Sequence, residues 1–292
     1  MKICGFTFVR NAVKFDYPVI ESISSVLPIV DEFIVSVGNC DDGTLQLIES
    51  IPSPKIRIVH SVWDDSIREG GKVLAAETNK VFAQIKPEYD WAFYIQADEV
   101  VHEKDLPNIV EAARQNLQNT SVQGLIFTFI HFYGTYDYVG DSRRWYSHEI
   151  RLIRNDKNIH SYRDGQGFRT GKKNTRLKVK QVNASIYHYG WVRHPNKQLE
   201  KLSNFYVLWN GENYIAPPIN EKDQFDFLKN ADSVIPFKGQ HPAIMQKRIA
   251  EKNWQLNFDV TKKKFSFKNK FLYKFEKLTG IQLFRFRNYT KI

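Results

Sequence analysis

The segment Gln96-Ala97-Asp98-Glu99 places two adjacent carboxylates at the end of the β-type run Trp91–Gln96. Carboxylates leaving a buried strand can hold a hard divalent cation, for which oxygen ligands are the natural set. The plainer alternative is a solvated acidic loop. Two further segments, Arg143-Arg144-Trp145 and Trp191-Val192-Arg193, pair guanidinium groups with indoles. They could line an anionic or sugar-like acceptor, because Arg grips phosphate and aromatic faces stack on sugars; a structural cation–π role is equally open. His188, in Ile186-Tyr187-His188-Tyr189-Gly190-Trp191, reads on its own as a packed histidine beside aromatics.

The elements that must position these residues alternate along the first hundred residues. Lys2–Val9, Glu32–Val37, Ile56–His60 and Trp91–Gln96 read as strands. Val13–Val26, ended by Pro28, then Thr44–Ile51 and Lys72–Ile85 read as helices. This alternation predicts an α/β fold, with a parallel sheet and helices on both faces. Ligands of such sheets sit outside the carboxyl ends of the strands. That rule selects Val9–Asn11, Gly38–Gly43, Trp63–Gly71 and Ala97–Val100. Further on, Leu106–Leu117 reads as helix, and Gly124–Phe132, Glu149–Arg154 and Leu177–Tyr189 as strands. From Pro195 the pattern becomes helical and polar.

The chain has 292 residues, 42% hydrophobic and 14% aromatic, enough for one large core or a core with a smaller appendage. Two cysteines, Cys4 and Cys40, make no disulfide framework, and a reducing compartment fits best. No apolar run reaches the ~18 residues of a spanning helix, and none resembles a secretory leader. A cytoplasmic protein is expected. Of the net charge of +10, residues 261–292 carry +9: ten Lys/Arg against one acid, Glu276. The near-neutral remainder argues against a nucleic-acid-binding catalytic face.

Several segments, in order over about residues 3–195, resemble glycosyltransferase family 2, the inverting GT-A enzymes, and in particular those that build bacterial lipopolysaccharide core and surface glycans. Phe8-Val9-Arg10-Asn11 is similar to the family's first nucleotide loop, and Asn39 through Asp42-Gly43-Thr44 to its second. Gly70-Gly71-Lys72 and Glu77-Thr78-Asn79 lie where the family has a Gly and then an Arg-Asn helix. Gln96-Ala97-Asp98 falls on its Asp-x-Asp position, with Gln96 where the first Asp is usual. The resemblance implies a GT-A (Rossmann-like) mixed sheet over residues 1–195, a helical extension over 196–260 and a basic aromatic tail over 261–292. It implies that Asp98 and His188 hold Mn2+ or Mg2+ on the diphosphate of a nucleotide-sugar donor. Val9, Arg10, Asn11, Asn39, Asp42, Gln96 and Ala97 would contact base or ribose, and Arg68 and Lys72 the nucleotide or its phosphates. An inverting transfer needs one general base. The family places it between the strand after the metal motif and the late His, where Asp164 is the first choice and Asp141 the second. Glu149, in an alternating run, reads as an ordinary strand residue.

In the tail, Phe271, Leu272, Phe275 and Leu278 share a helical face flanked by Lys270, Lys274 and Lys277. Such a helix suits an anionic membrane surface, at the inner face of the membrane if the acceptor is a lipid-linked glycan. Two rival readings are a nucleotidyltransferase, which would need a basic Gly-rich loop near the N-terminus, and a non-catalytic membrane- or nucleic-acid-binding protein retaining the fold.

Overall fold

The computed structural model describes residues 1–292 except 65, 68, 211–213, 216 and 221. Strand and helix alternate through β1 (Ile3–Val9), α1 (Val19–Val26), β2 (Glu32–Val37), α2 (Thr44–Glu49), β3 (Ile56–His60), α3 (Lys72–Ala83) and β4 (Trp91–Tyr94). There follow β5 (Glu99–Val101), α4 (Leu106–Gln115), β6 (Gly124–Gly140), β7 (His148–Arg154), β8 (Ile159–Tyr162), β9 (Gly167–Thr170) and β10 (Thr175–Val192). One sheet runs in the order β3-β2-β1-β4-β7-β6-β10-β9-β8, with β5 joined to β10. β3, β2, β1 and β4 are parallel, whereas β7 runs against both β4 and β6.

The near-continuous apolar strands have a direct cause: both faces are covered. Along β4, Trp91 and Phe93 pack with Val19, Ile23, Ile48 and Ile109 of α1, α2 and α4. Ala92 and Tyr94 point the other way, to Val81 and Phe82 of α3. This is a mixed α/β sheet with helices on both faces. The first helix starts at Val19 rather than the expected Val13, immediately behind Pro18. Proline has no N–H and a fixed φ, so it is tolerated at a helix start and not inside. Before it the chain turns instead, with Phe15 N–H donating to the Asn11 carbonyl (3.1 Å) and Asp16 at φ 50°. β6 and β10 run past their expected ends and pair in parallel, which sets His131 beside His188.

The rest of the chain wraps this sheet through α5 (Pro195–Trp209), α6 (Phe227–Asn230), β11 (Val234–Pro236), α7 (Gln246–Ala250), α8 (Phe267–Thr279) and β12 (Tyr289–Lys291). β11 pairs with β6, and β12 adds a strand beside Leu177–Val179 of β10. The apolar face expected of the tail helix divides: Leu272 is buried on the body, while Phe271 and Leu278 are exposed. Ion pairs fasten α8 in place. Glu276 binds Arg143 (2.5 Å) and Arg285 (3.2 Å). Asp141 binds Lys277 (2.8 Å), Lys263 (3.5 Å) and the Tyr273 hydroxyl. Among the described residues no helix is long and apolar enough to cross a membrane.

Beneath the carboxyl end of β4 lies a fully buried ion pair. Arg151 of β7 donates from Nε and Nη2 to the two Glu99 carboxylate oxygens, at 2.7 and 2.6 Å, with both side chains wholly inaccessible. Removing one partner of such a pair strands a buried charge and costs about 3–5 kcal/mol. Arg151→Met is therefore expected to lower the urea midpoint by that equivalent. An unchanged midpoint would mean that the pair adds nothing to the folded state.

Candidate functional site

The parallel strands finish together: Val9 pairs with Val37, Val37 with His60, and Phe6 with Tyr94. A cleft of about 490 Å³ opens at this edge. One wall is Phe8–Asn11 and Gln96–Asp98, the segments leaving β1 and β4. The β8–β9 turn contributes Asp164 and Gln166, and β10 contributes His188, Gly190 and Trp191. The opposite wall is α5, through Gln198, Lys201, Phe205, Leu208 and Trp209.

Of the residues singled out in the sequence, Val9, Arg10, Asn11, Gln96, Ala97, Asp98, Asp164, His188 and Trp191 line this cleft. Asn39 and Asp42 stand behind it and shape the loops. Asp42 accepts from the N–H groups of Lys14 (2.6 Å) and Thr44 (3.1 Å), and Thr44 Oγ1 in turn accepts from Ala12 N–H (2.7 Å). The two loops are thereby tied together, with Asn11 held at φ 56°. Asn39 accepts from Trp63 N–H (3.4 Å). Lys72 is exposed and paired with Glu69 (2.6 Å). Arg68 lies outside the described residues.

The adjacent carboxylates go separate ways. Glu99 is committed to Arg151, and its Oε2 also accepts from Gln96 N–H (3.1 Å). Asp98 faces the cleft, with Lys201 Nζ 3.3 Å from Oδ2 and His188 Nε2 3.8 Å from Oδ1. Burial alone would raise the Asp98 carboxyl, but Lys201, then His188 and Arg193, hold it at about 2. Burial, followed by the Arg193 charge, pushes the Lys201 ammonium down to about 7 against the pull of Asp98. Any side chain at Gly190 would collide here, its Cβ 2.6 Å from His188 Nε2 and 2.8 Å from Asp98 Oδ2.

A histidine pair orients this corner. Burial drives both His131 and His188 toward the neutral form. The Tyr146 carbonyl can only accept, so His131 donates to it from Nε2 (2.7 Å) and its Nδ1 is an acceptor. His188 then donates from Nδ1 to His131 Nδ1 (3.0 Å), leaving its Nε2 as a bare lone pair toward Asp98.

Asp98 and His188 are thus brought together, and they offer two donors to a cation. Among the described residues no third His, Cys, Asp or Glu joins them. Gln96 turns its amide to the Tyr94 hydroxyl (3.3 Å). The Lys201 ammonium sits on Asp98, and the fully buried Arg193, 5.1 Å over the Tyr17 ring, adds a second positive charge. A resident Mn2+ or Mg2+ would meet two donors and two buried cations. The set does not fit one.

The three carboxylates considered as base differ in setting. Asp164 lies in the tight β8–β9 turn, with Arg163 at φ 57° and Gly165 at φ 75°. A Cβ on Gly165 would press on the Leu74 backbone at 3.2 Å, so the turn sits directly on the start of α3. Asp141 lies off the cleft. Burial would raise its carboxyl, but Lys277, Tyr273 and Lys263 hold it below the ordinary value while it anchors α8. Glu149 is buried in β7 and accepts from Asn288 Nδ2 (3.1 Å). Of the acceptor candidates, Arg144 stacks 5.3 Å from both the Trp145 and Trp191 rings, and Arg143 is spent on Glu276.

Sequence reasoning missed the whole α5 wall, Lys201 above all. Its signal was present in the spacing Gln198, Lys201, Phe205, Leu208, which lies on one helical face. The end of α5 is seated on the Gly70-Gly71 pair: Gly70 N–H donates to the Trp209 carbonyl (3.1 Å). A Cβ on Gly71, itself at φ 70°, would lie 2.5 Å from the Trp209 ring.

Burial lifts the Glu149 carboxyl from an ordinary 4.5 to about 7, with Arg151 pulling the other way. Between those values the native state keeps a proton that the unfolded chain has lost. Stability is therefore expected to fall as pH rises from about 4.5 through 7, by roughly 3 kcal/mol from this group. Glu149→Gln should flatten that part of a urea-denaturation pH series; an unaltered slope would place the proton elsewhere.

No protein family's profile and no curated protein sequence matches the chain. Among solved structures it is similar to S. aureus TarS 1-349, at 13% identity and TM-score 0.38, over 71% of this chain and 65% of that one. It is also similar to glucosyl-3-phosphoglycerate synthase from Mycobacterium tuberculosis, in complex with Mn2+, uridine-diphosphate and phosphoglyceric acid. That likeness has 18% identity and TM-score 0.32, over 44% of this chain and 43% of that one. A third, 4-diphosphocytidyl-2C-methyl-D-erythritolsynthase from Anaerococcus prevotii, has 11% identity and TM-score 0.33, over 53% of this chain and 70% of that one. The chain thus spans under two thirds of the first of these and under half of the second. Likenesses this distant assign no chemistry to the cleft.

Proposed function

We propose that this chain is an inverting glycosyltransferase, moving a sugar from a nucleotide-diphosphate donor to a hydroxyl of a glycan or lipid-linked acceptor. The observation that carries this reading is one cleft lined jointly by Val9–Asn11, Gln96–Asp98 and Asp164. The first two segments leave adjacent parallel strands, where nucleotides bind in such sheets. The third brings a carboxylate from a separate hairpin. The resemblance to glycosyltransferase family 2 supports the same assignment.

In this reading the donor's base and ribose lie against Val9–Asn11 and Gln96–Ala97, with Asn39 and Asp42 holding the loops in shape. Asp164 accepts the proton of the acceptor hydroxyl as its oxygen attacks the sugar. Trp191, with Arg144 stacked over it, offers the acceptor a face; Arg143 and Arg193 support the fold around it. The resemblance implies Mn2+ or Mg2+ at Asp98 and His188, but these two donors alone make an incomplete set for either ion. Residues 1–195 form the catalytic unit, completed by α5 of the extension over 196–260. The tail, 261–292, exposes Phe267, Phe271, Leu278, Phe284 and Phe286 among its basic residues. That pairing of apolar and cationic side chains fits the anionic inner surface of a membrane carrying the acceptor, with the enzyme cytoplasmic and peripheral.

Asp164→Asn should cut the turnover of the productive donor by about 10²–10⁴-fold. The thermal stabilisation given by UDP, GDP, CDP or dTDP should stay as in the wild type. Full activity in the variant would remove Asp164 from the chemistry, and nucleotide stabilisation lost with it would make it a donor-binding residue instead.

A further inference from the structure

The floor of the cleft carries more positive charge than negative. Glu99 is taken up by Arg151, so of the two carboxylates leaving β4 only Asp98 faces the cleft, whose other described acid, Asp164, stands on the β8–β9 turn. Against Asp98 stand the Lys201 ammonium and, just behind, the Arg193 guanidinium, fully buried over the Tyr17 ring and with no carboxylate at salt-bridge distance among the described residues. An anion placed here would lie beside both groups and would favour the charged form of Lys201.

Lys201 is built for that contact. Its side chain is only 14% exposed yet lines the cleft from the α5 wall. Asp98 Oδ2 (3.3 Å) and the Gly190 carbonyl (3.0 Å) take two of its three N–H donors, and the Tyr17 ring lies 4.8 Å away. Its head group is therefore fixed in place while one donor remains for a ligand. Asp98 does for the lysine what it would otherwise do for a metal: it holds a cation at the carboxyl end of β4.

We propose that the Lys201 ammonium is the cation that meets the donor's diphosphate, in the place that the resemblance gives to a divalent ion. This rests on the nucleotide-sugar reading above. In the transfer, the acceptor oxygen forms its bond to the sugar's anomeric carbon, and its proton passes to Asp164. The bond from that carbon to the β-phosphate oxygen breaks, with its electron pair staying on the departing nucleoside diphosphate. Lys201 pairs with the charge left there, Arg193 reinforces the local potential, and Asp98 keeps the ammonium from withdrawing.

Isothermal titration of the full chain with UDP, GDP, CDP and dTDP, each in EDTA and again in Mn2+, tests this. The nucleotide that binds should do so in EDTA, with a Kd close to its value in Mn2+. Lys201→Met should weaken that diphosphate by roughly tenfold or more, the worth of one charge-assisted contact, and leave binding of the corresponding nucleoside unchanged. Lys201→Arg, which keeps charge and reach, should retain most of the affinity and covers the case in which the Met variant fails to fold. Binding that appears only with Mn2+, or a Met variant that is folded and binds normally, would overturn the assignment of Lys201 while leaving the transferase reading standing. If none of the four nucleotides binds in either condition, the transferase reading falls and this inference with it.

Discussion

The buried Glu99–Arg151 pair is the constraint around which the cleft is arranged. Two ionised groups removed from water are costly unless their hydrogen bonds are satisfied. Here both carboxylate oxygens are taken by one guanidinium, and Gln96 N–H adds a further bond. The guanidinium lies over the rings of Tyr94 (5.3 Å) and Phe129 (5.0 Å), so strands β4, β6 and β7 all contribute to holding it. Turning Glu99 into the sheet fixes the short loop before it. Asp98, one residue earlier, is left facing the opposite way, into the cleft. The position of one cleft-facing carboxylate thus follows from the burial of its neighbour.

From that point the remaining cleft is a matter of compensating charge. A buried Asp98 needs a cation, and the chain supplies one from α5. The helix can lie there because Gly71 has no side chain to keep the Trp209 ring away. The same economy of space operates at Gly190, where a methyl group would displace His188 or Asp98. Glycines at two distant places in the chain therefore serve one end: they let charged and aromatic groups converge on the carboxyl edge of the sheet.

The parallel half of the sheet was legible because both its faces are buried, which writes uninterrupted apolar runs into β1, β2 and β4. The rule that ligands gather at strand ends selected Val9–Asn11 and Ala97–Val100, of which Val9, Arg10, Asn11, Ala97 and Asp98 line the cleft, and also Gly38–Gly43, which does not. What the sequence concealed was partnership. Glu99 and Asp98 look equivalent as neighbours, and only Arg151, fifty-two residues away, separates them. Asp141 and Asp164 both sit in loops with turn-like composition, and only the docking of Tyr273 and Lys277 shows one of them engaged. Lys201 was passed over for a related reason. The spacing Gln198, Lys201, Phe205, Leu208 marks one face of α5, but nothing in it says that this face closes over the strand ends and buries the lysine.

The basic tail shows how composition alone can mislead about where charge acts. Ten cations over 261–292 suggested a helix turned toward an anionic surface, yet several are spent on the body: Lys263 and Lys277 on Asp141, and Arg285 on Glu276. β12 then stitches the end of the chain to β10, beside Leu177–Val179. The tail is in this respect part of the fold, with α8 held at both ends rather than tethered at one. Ordering it in advance removes the entropy that an extended arm would lose on meeting a surface. It also fixes which side chains face outward. Those are Phe267, Phe271 and Leu278, on a helix whose one buried residue is Leu272, so the apolar display is set by how α8 docks and not by the helix's own amphipathic pattern.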